Sequence, residues 1–127
     1  MNSKLFLAAY PYADDILALP VKDVDEAAAH YARTFALMEV ERRDEPSAVI
    51  MERDGVRIGF SENGRDPSQE GAAILVADIE RARDELSAVG VDVANWRVDE
   101  RDGKRFQVFF VIAPDGLCYY FHQELKG

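Results

Sequence analysis

The sequence predicts an α+β fold in which a βαβββ unit is used twice. Three observations predict it: two amphipathic helical stripes each follow a short alternating strand, Asp-Gly turns join the apolar runs that come next, and the two halves can be laid on each other in the same order. An offset of 55 carries Val21, Asp23, Val24, Asp25 and Ala27 onto Val76, Asp78, Ile79, Glu80 and Ala82. An offset of 61 carries Asp54-Gly55 onto Asp115-Gly116 and Phe60 onto Phe121.

Taken in order, Leu17, Leu19 and Val21 alternate with Ile16, Ala18 and Pro20, and Pro20 places this strand at an edge or at its end. Asp23, with Glu26 three residues on, is an acidic capping box. The helix it opens carries Val24, Ala27, Ala28, Tyr31 and Phe35 on one face. Strand-like runs follow at Met38–Arg42, Ala48–Glu52 and Val56–Phe60, the last two joined by Arg53-Asp54-Gly55, whose Asp-Gly pair tolerates the positive φ of a tight hairpin. A polar stretch from Glu62 to Glu70 reads as a linker. In the second half, Ala72, Ile74 and Val76 alternate, Asp78 caps, and Ile79, Ala82, Leu86 and Val89 form a stripe that stops at Gly90. Runs at Val91–Val98 and Arg105–Ile112 precede a Pro114-Asp115-Gly116 turn and a final strand, Leu117–Gln123. The chain is thus expected to be one domain, with a first module over about 14–62, a linker at 63–70 and a second module over about 71–125.

Composition bounds the function. A chain of 127 residues, 48% hydrophobic and 31% charged, can bury one real core. Its net charge of −9 repels phosphate backbones, which argues against nucleic acid and attracts cationic small molecules. Cys118 is the only cysteine, so an intrachain disulfide is impossible; it reads as a small buried filler in a reducing compartment. The stretch Met1–Tyr12 is too short to span a membrane and lacks a signal-peptide layout, so the expected location is cytoplasmic.

Val21-Lys22-Asp23, Arg53-Asp54-Gly55-Val56 and Ala113-Pro114-Asp115-Gly116, in this order and spacing, resemble the glyoxalase, bleomycin-resistance and extradiol-dioxygenase group, the vicinal oxygen chelate superfamily. The resemblance runs from about residue 14 to the end. It implies two βαβββ modules whose strands curl into a half-barrel of curved mixed sheet around a cleft, with helices on the outer face, often in a homodimer. Relatives that do chemistry hold a divalent metal with His, Gln or Glu from the first and last strands of each module, leaving positions open for substrate oxygens. Those places fall on Ile16, Gly59, Gly71 and Tyr120, none a usual ligand, so no metal and no cofactor is expected. A slip of two residues, which preserves strand faces, would bring in Asp14, Ser61 and His122 instead.

Period-two reasoning puts Arg57, Gly59 and Ser61 on the cavity face of the first hairpin and Cys118, Tyr120 and His122 on that of the last. If the last hairpin closes tightly, Phe109 and Gln107 lie opposite Tyr120 and His122 and share their face; otherwise Phe109 and Tyr120 are plain core. Trp96, the only tryptophan, is either a stacking platform for a planar ligand or a cap on the core or a dimer seam. His122 is the candidate acid or base, and His30 reads as surface. No Ser-His-Asp set, phosphate loop, His-Glu-x-x-His or Cys-x-x-Cys is present.

Three readings follow. The first is a metal-free homodimer, similar to the bleomycin-resistance branch, that sequesters a small cationic or planar molecule through Trp96, Phe109, Tyr120, His122, Arg57 and Gln107. The second is a lyase or oxygenase using His122 or Tyr120, or a metal held elsewhere. The third is an accessory module whose cavity is filled by its own side chains.

Overall fold

Each helix begins where an aspartate turns its carboxylate onto the free N–H groups of the first turn. Asp23 accepts from the backbone N of Asp25 (2.9 Å) and Glu26 (3.2 Å), and Asp78 accepts from the backbone N of Arg81 (3.1 Å). The computed structural model describes residues 4–12 and 15–126. The elements are β1 (Phe6–Pro11), β2 (Leu19–Pro20), α1 (Val24–Thr34), β3 (Met38–Arg43), β4 (Ala48–Arg53), β5 (Val56–Ser61), a 3-10 turn (Pro67–Gln69), β6 (Gly71–Val76), α2 (Ile79–Ala88), β7 (Ala94–Arg101), β8 (Lys104–Ile112) and β9 (Cys118–Leu125). Two mixed sheets result, not closed into a barrel: β1-β6-β9-β8-β7 and β2-β5-β4-β3. The βαβββ order recurs as β2-α1-β3-β4-β5 and β6-α2-β7-β8-β9, and in both the first strand lies parallel to the last.

The repeat extends to a detail of bonding. The Glu62 carboxylate at the end of the first module accepts from Val24 N at 3.0 Å, and the Gln123 side-chain oxygen accepts from Ile79 N at 2.9 Å. These pairs stand at the same offsets, 61 and 55, that relate the halves in sequence.

Two elements differ from expectation. The sequence pattern gave no strand before residue 16, yet β1 pairs antiparallel with β6 at the edge of the five-stranded sheet. A register shift between Phe6 and Ala8 breaks its period of two, so alternation could not reveal it. Conversely, the strand expected over residues 16–21 is reduced to Leu19–Pro20, because residues 16 and 17 form a turn.

One core unites the sheets. Tyr31 of α1 is wholly buried, stacks on Phe60 of β5 at 4.4 Å and meets Tyr119 of β9 edge-on at 5.6 Å. Phe35 touches both Tyr119 and Phe121. The halves are clasped twice more at their Asp-Gly turns. Asp115 accepts from the Tyr31 hydroxyl at 2.7 Å, and Asp54 accepts from the backbone N of Leu5 and Phe6 at 2.8 and 3.0 Å. Arg53 bridges Glu85 of α2 at 2.9 Å and donates to the Phe35 carbonyl. No helix among the described residues is long and apolar enough to cross a membrane.

Candidate functional site: the open face of the five-stranded sheet

Residues directly paired across a sheet share a face, so the register defines the surface turned away from the core. Tyr10 pairs with Ala73, Ala73 with Tyr120, and Tyr120 with Phe110, giving one row across four strands. A second row runs from Ala8 through Leu75, His122 and Val108 to Arg97. Phe106, Asp99 and Glu124 form the next, and Gly71, Cys118 and Ile112 lie on the other side. The opposite face carries Phe6, Ile74, Tyr119, Phe121, Phe109 and Val111, all in the core.

This open face is aromatic and partly exposed. Phe110 meets Tyr120 edge-on at 5.0 Å, and Phe106 meets His122 at 5.8 Å. Tyr10 is 53% exposed. The Tyr12 phenol sits beside the Cys118 thiol. Burial raises both groups, so Cys118 stays a thiol near neutral pH and is no activated nucleophile. Cys118 is half-buried rather than the buried filler the sequence suggested.

The polar groups are arranged around Tyr120. Its hydroxyl donates to Asp99 at 2.8 Å, and Arg97 holds the same carboxylate at 2.8 Å. Burial first, then the Asp99 hydrogen bond, keeps the Tyr120 phenol protonated up to about 12, whereas Arg97 and Tyr120 hold Asp99 below its ordinary value. Arg101 lies over the rings of Phe106 at 4.9 Å and Tyr120 at 5.6 Å, and Arg97 lies 5.4 Å over Phe110. His122 is 6% exposed, burial keeps it below its ordinary value, and among the described residues its Nδ1 has no hydrogen-bond partner.

The register corrects part of the sequence reading. Tyr120 and His122 do share a face, but Phe109 pairs with Phe121 and Gln107 with Gln123, so both lie on the opposite face. The connection is longer by one residue than a tight closure requires: Ala113 N donates to the Leu117 carbonyl, and a one-residue shift turns every side chain over. Val108 and Phe110 occupy the places opposite His122 and Tyr120 expected of Gln107 and Phe109. Trp96 is also turned away. The ladder shifts between Ala94 and Arg97, Asn95 adopts a φ of 59°, and the indole stacks towards Phe109 with the Arg83 guanidinium of α2 4.0 Å over its ring. Arg57, expected on the cavity face of the first hairpin, lies on β5 of the four-stranded sheet, where it pairs with Glu52 at 2.9 Å.

The residues present do not fit a resident divalent metal. A Cβ placed on Gly59 would lie 2.2 Å from the Leu17 carbonyl oxygen, and one on Gly71 would lie 1.7 Å from that of Cys118. Main chain therefore fills the space in which two ligating side chains would have to start, and Gly59 N is itself bonded to the Ile16 carbonyl at 2.9 Å. Among the described residues no three His, Cys, Asp or Glu side chains come together to hold an ion. Of the shifted set, Asp14 lies outside the described residues, and Ser61 and His122 belong to different sheets. A separate groove of about 250 Å³ runs between Asp23, Glu26 and His30 on one side and Pro114 and Asp115 on the other. It contains none of the residues expected to bind a ligand.

No family model matches the sequence, and no curated protein sequence matches it. Solved structures do. The bleomycin resistance determinant encoded on transposon Tn5 superposes with a TM-score of 0.66 at 20% identity, covering 87% of this chain and 97% of that one. TnmS3, an antibiotic-binding protein from Streptomyces sp. CB03234, gives 0.69 at 15% identity, covering 90% and 98%. The fosfomycin resistance protein FosX from Listeria monocytogenes gives 0.64 at 16% identity, covering 87% and 90%. The chain therefore shares the fold of these bleomycin-resistance, antibiotic-binding and fosfomycin-resistance proteins.

Proposed function

We propose that this protein binds a small planar molecule on the open face of its five-stranded sheet, without a metal, and so withholds that molecule from its target rather than transforming it. The observation that carries the reading is the aromatic row Tyr10, Tyr120 and Phe110, flanked by Phe106, on the five-stranded sheet, with the expected metal-ligand positions Gly71 on that sheet and Gly59 on the other closed by main chain. Aromatic rings supply large contact area at little entropic cost, which suits a planar ligand. The antibiotic-binding TnmS3 and the bleomycin resistance determinant share this fold, which supports a small-molecule ligand, while the fosfomycin resistance protein on the same fold makes function a matter of the site and not of the fold.

The proposal includes a homodimer. Tyr10, Tyr12, Met38 and Ile112 are large apolar side chains that remain exposed in the single chain, and a second copy would cover them and wall the ligand face. Elemental analysis of the purified protein, with Ni²⁺, Zn²⁺ and Mn²⁺ titrations followed by calorimetry, is the test. The expected result is sub-stoichiometric metal and no saturable heat. Stoichiometric metal would overturn the reading and favour an enzyme.

A further inference from the structure

We propose that the ligand is an aromatic acid, its ring on the Phe106, Phe110 and Tyr120 surface and its carboxylate taken by Arg101. This rests on the preceding assignment of the open face and reverses the expectation from net charge, which favoured a cation.

The charges on the face itself decide the matter, because a bound ligand feels neighbours within a Debye length of about 8–10 Å far more than the sum over the whole protein. The face carries Arg97, Arg101 and Lys104 against Asp99 and Glu124. Asp99 is already engaged by Arg97 and by the Tyr120 hydroxyl, so it has little left to offer a cation. Arg101 makes no salt bridge among the described residues. Its guanidinium carbon lies 4.9 Å over the Phe106 ring and 5.6 Å over that of Tyr120, so its N–H donors reach the aromatic surface on which a planar ligand would rest. Arg101 and Lys104 are cross-strand partners at the end of the β7–β8 hairpin, so two cations flank that edge of the aromatic surface. A guanidinium offers a fork of N–H donors that matches a carboxylate, and such charge-assisted pairs are about twice as strong as neutral ones. A cationic aromatic molecule on the same surface would meet Arg97 and Arg101 instead.

Three matched probes test this by calorimetry on the full-length protein: 2-naphthoate, 2-naphthamide and 2-naphthylmethylammonium. The expected order of affinity is naphthoate, then naphthamide, then the ammonium. Arg101→Gln should weaken naphthoate about tenfold, to the level of naphthamide, and leave naphthamide unchanged. Arg105→Gln, on the opposite face, should change neither. If naphthamide binds as tightly as naphthoate, or the ammonium binds tightest, the acid assignment is wrong while the aromatic face still stands. If none of the three binds, both readings fail together.

Discussion

Removing the Asp54 carboxylate should cost about 2–4 kcal/mol of folding stability, a large fraction of what a domain of this size possesses. Its Oδ2 accepts from two successive backbone groups, Leu5 N at 2.8 Å and Phe6 N at 3.0 Å, on residues only 1% and 2% exposed. Each buried N–H left without a partner costs about 1–3 kcal/mol, and water reaching the half-open Asp54 side recovers part of it. In Asp54→Ala the new residue must also hold a φ of 55°, adding about 1 kcal/mol. Asp54→Asn keeps an acceptor oxygen and tolerates that φ, so it should cost roughly half as much as Ala.

The same pair has a pH signature. Burial opposes the charge on Asp54, but the N–H groups of Phe6 and Leu5, together with Arg53, outweigh it and hold the carboxyl below its ordinary value of 3.8. The folded protein thus binds that proton less readily than the unfolded chain. The stability Asp54 contributes is present above the unfolded value and is lost as pH falls through the lower, folded one. Urea unfolding followed by circular dichroism from pH 7 to about pH 3 should show the gap between the parent and Asp54→Asn narrowing on acidification. A gap that stays constant with pH, or an Asp54→Ala cost below about 0.5 kcal/mol, would refute the reasoning.

Further changes follow from the geometry. Glu62→Ala and Gln123→Ala each remove the side chain that satisfies the first helical N–H, at Val24 and Ile79; each should cost about 1 kcal/mol in urea unfolding, and the two effects should add. Tyr31→Phe keeps the stack on Phe60 but loses the buried bond to Asp115, for about 1–2 kcal/mol by the same assay. Gly59→Ala would drive a methyl into the Leu17 carbonyl, so the turn before β2 must move; a loss of about 2–3 kcal/mol is expected, and Gly59→His should be no better at holding Ni²⁺ than the parent.

Much of the fold was legible because the repeat is written in short polar signals as well as in hydrophobic pattern. Asp23 and Asp78 cap, and Asp54 and Asp115 turn, at fixed offsets in both halves. The helical stripe named Tyr31 and Phe35 correctly as core. What escaped was whatever departs from period two. The shift between Phe6 and Ala8 hid β1, and the bulge before Arg97 turned Trp96 onto the α2 side. In Val108-Phe109-Phe110 the pattern itself is ambiguous, since adjacent aromatic residues satisfy either face, and only the length of the Ala113–Leu117 connection decides that Phe110 joins Tyr120. The charge of the face was hidden for another reason: net charge averages over the surface, whereas Arg97 and Arg101, four residues apart on β7, fall on one face by the strand's period of two.

The most direct measurement of the central claim is a calorimetric titration of 2-naphthamide into EDTA-treated protein, comparing the parent with Phe110→Ala on the open face and Trp96→Phe on the other. Saturable binding without metal, weakened about tenfold by Phe110→Ala and unchanged by Trp96→Phe, is the predicted result. Binding that requires added divalent metal, or that depends on Trp96 and not on Phe110, would contradict the account.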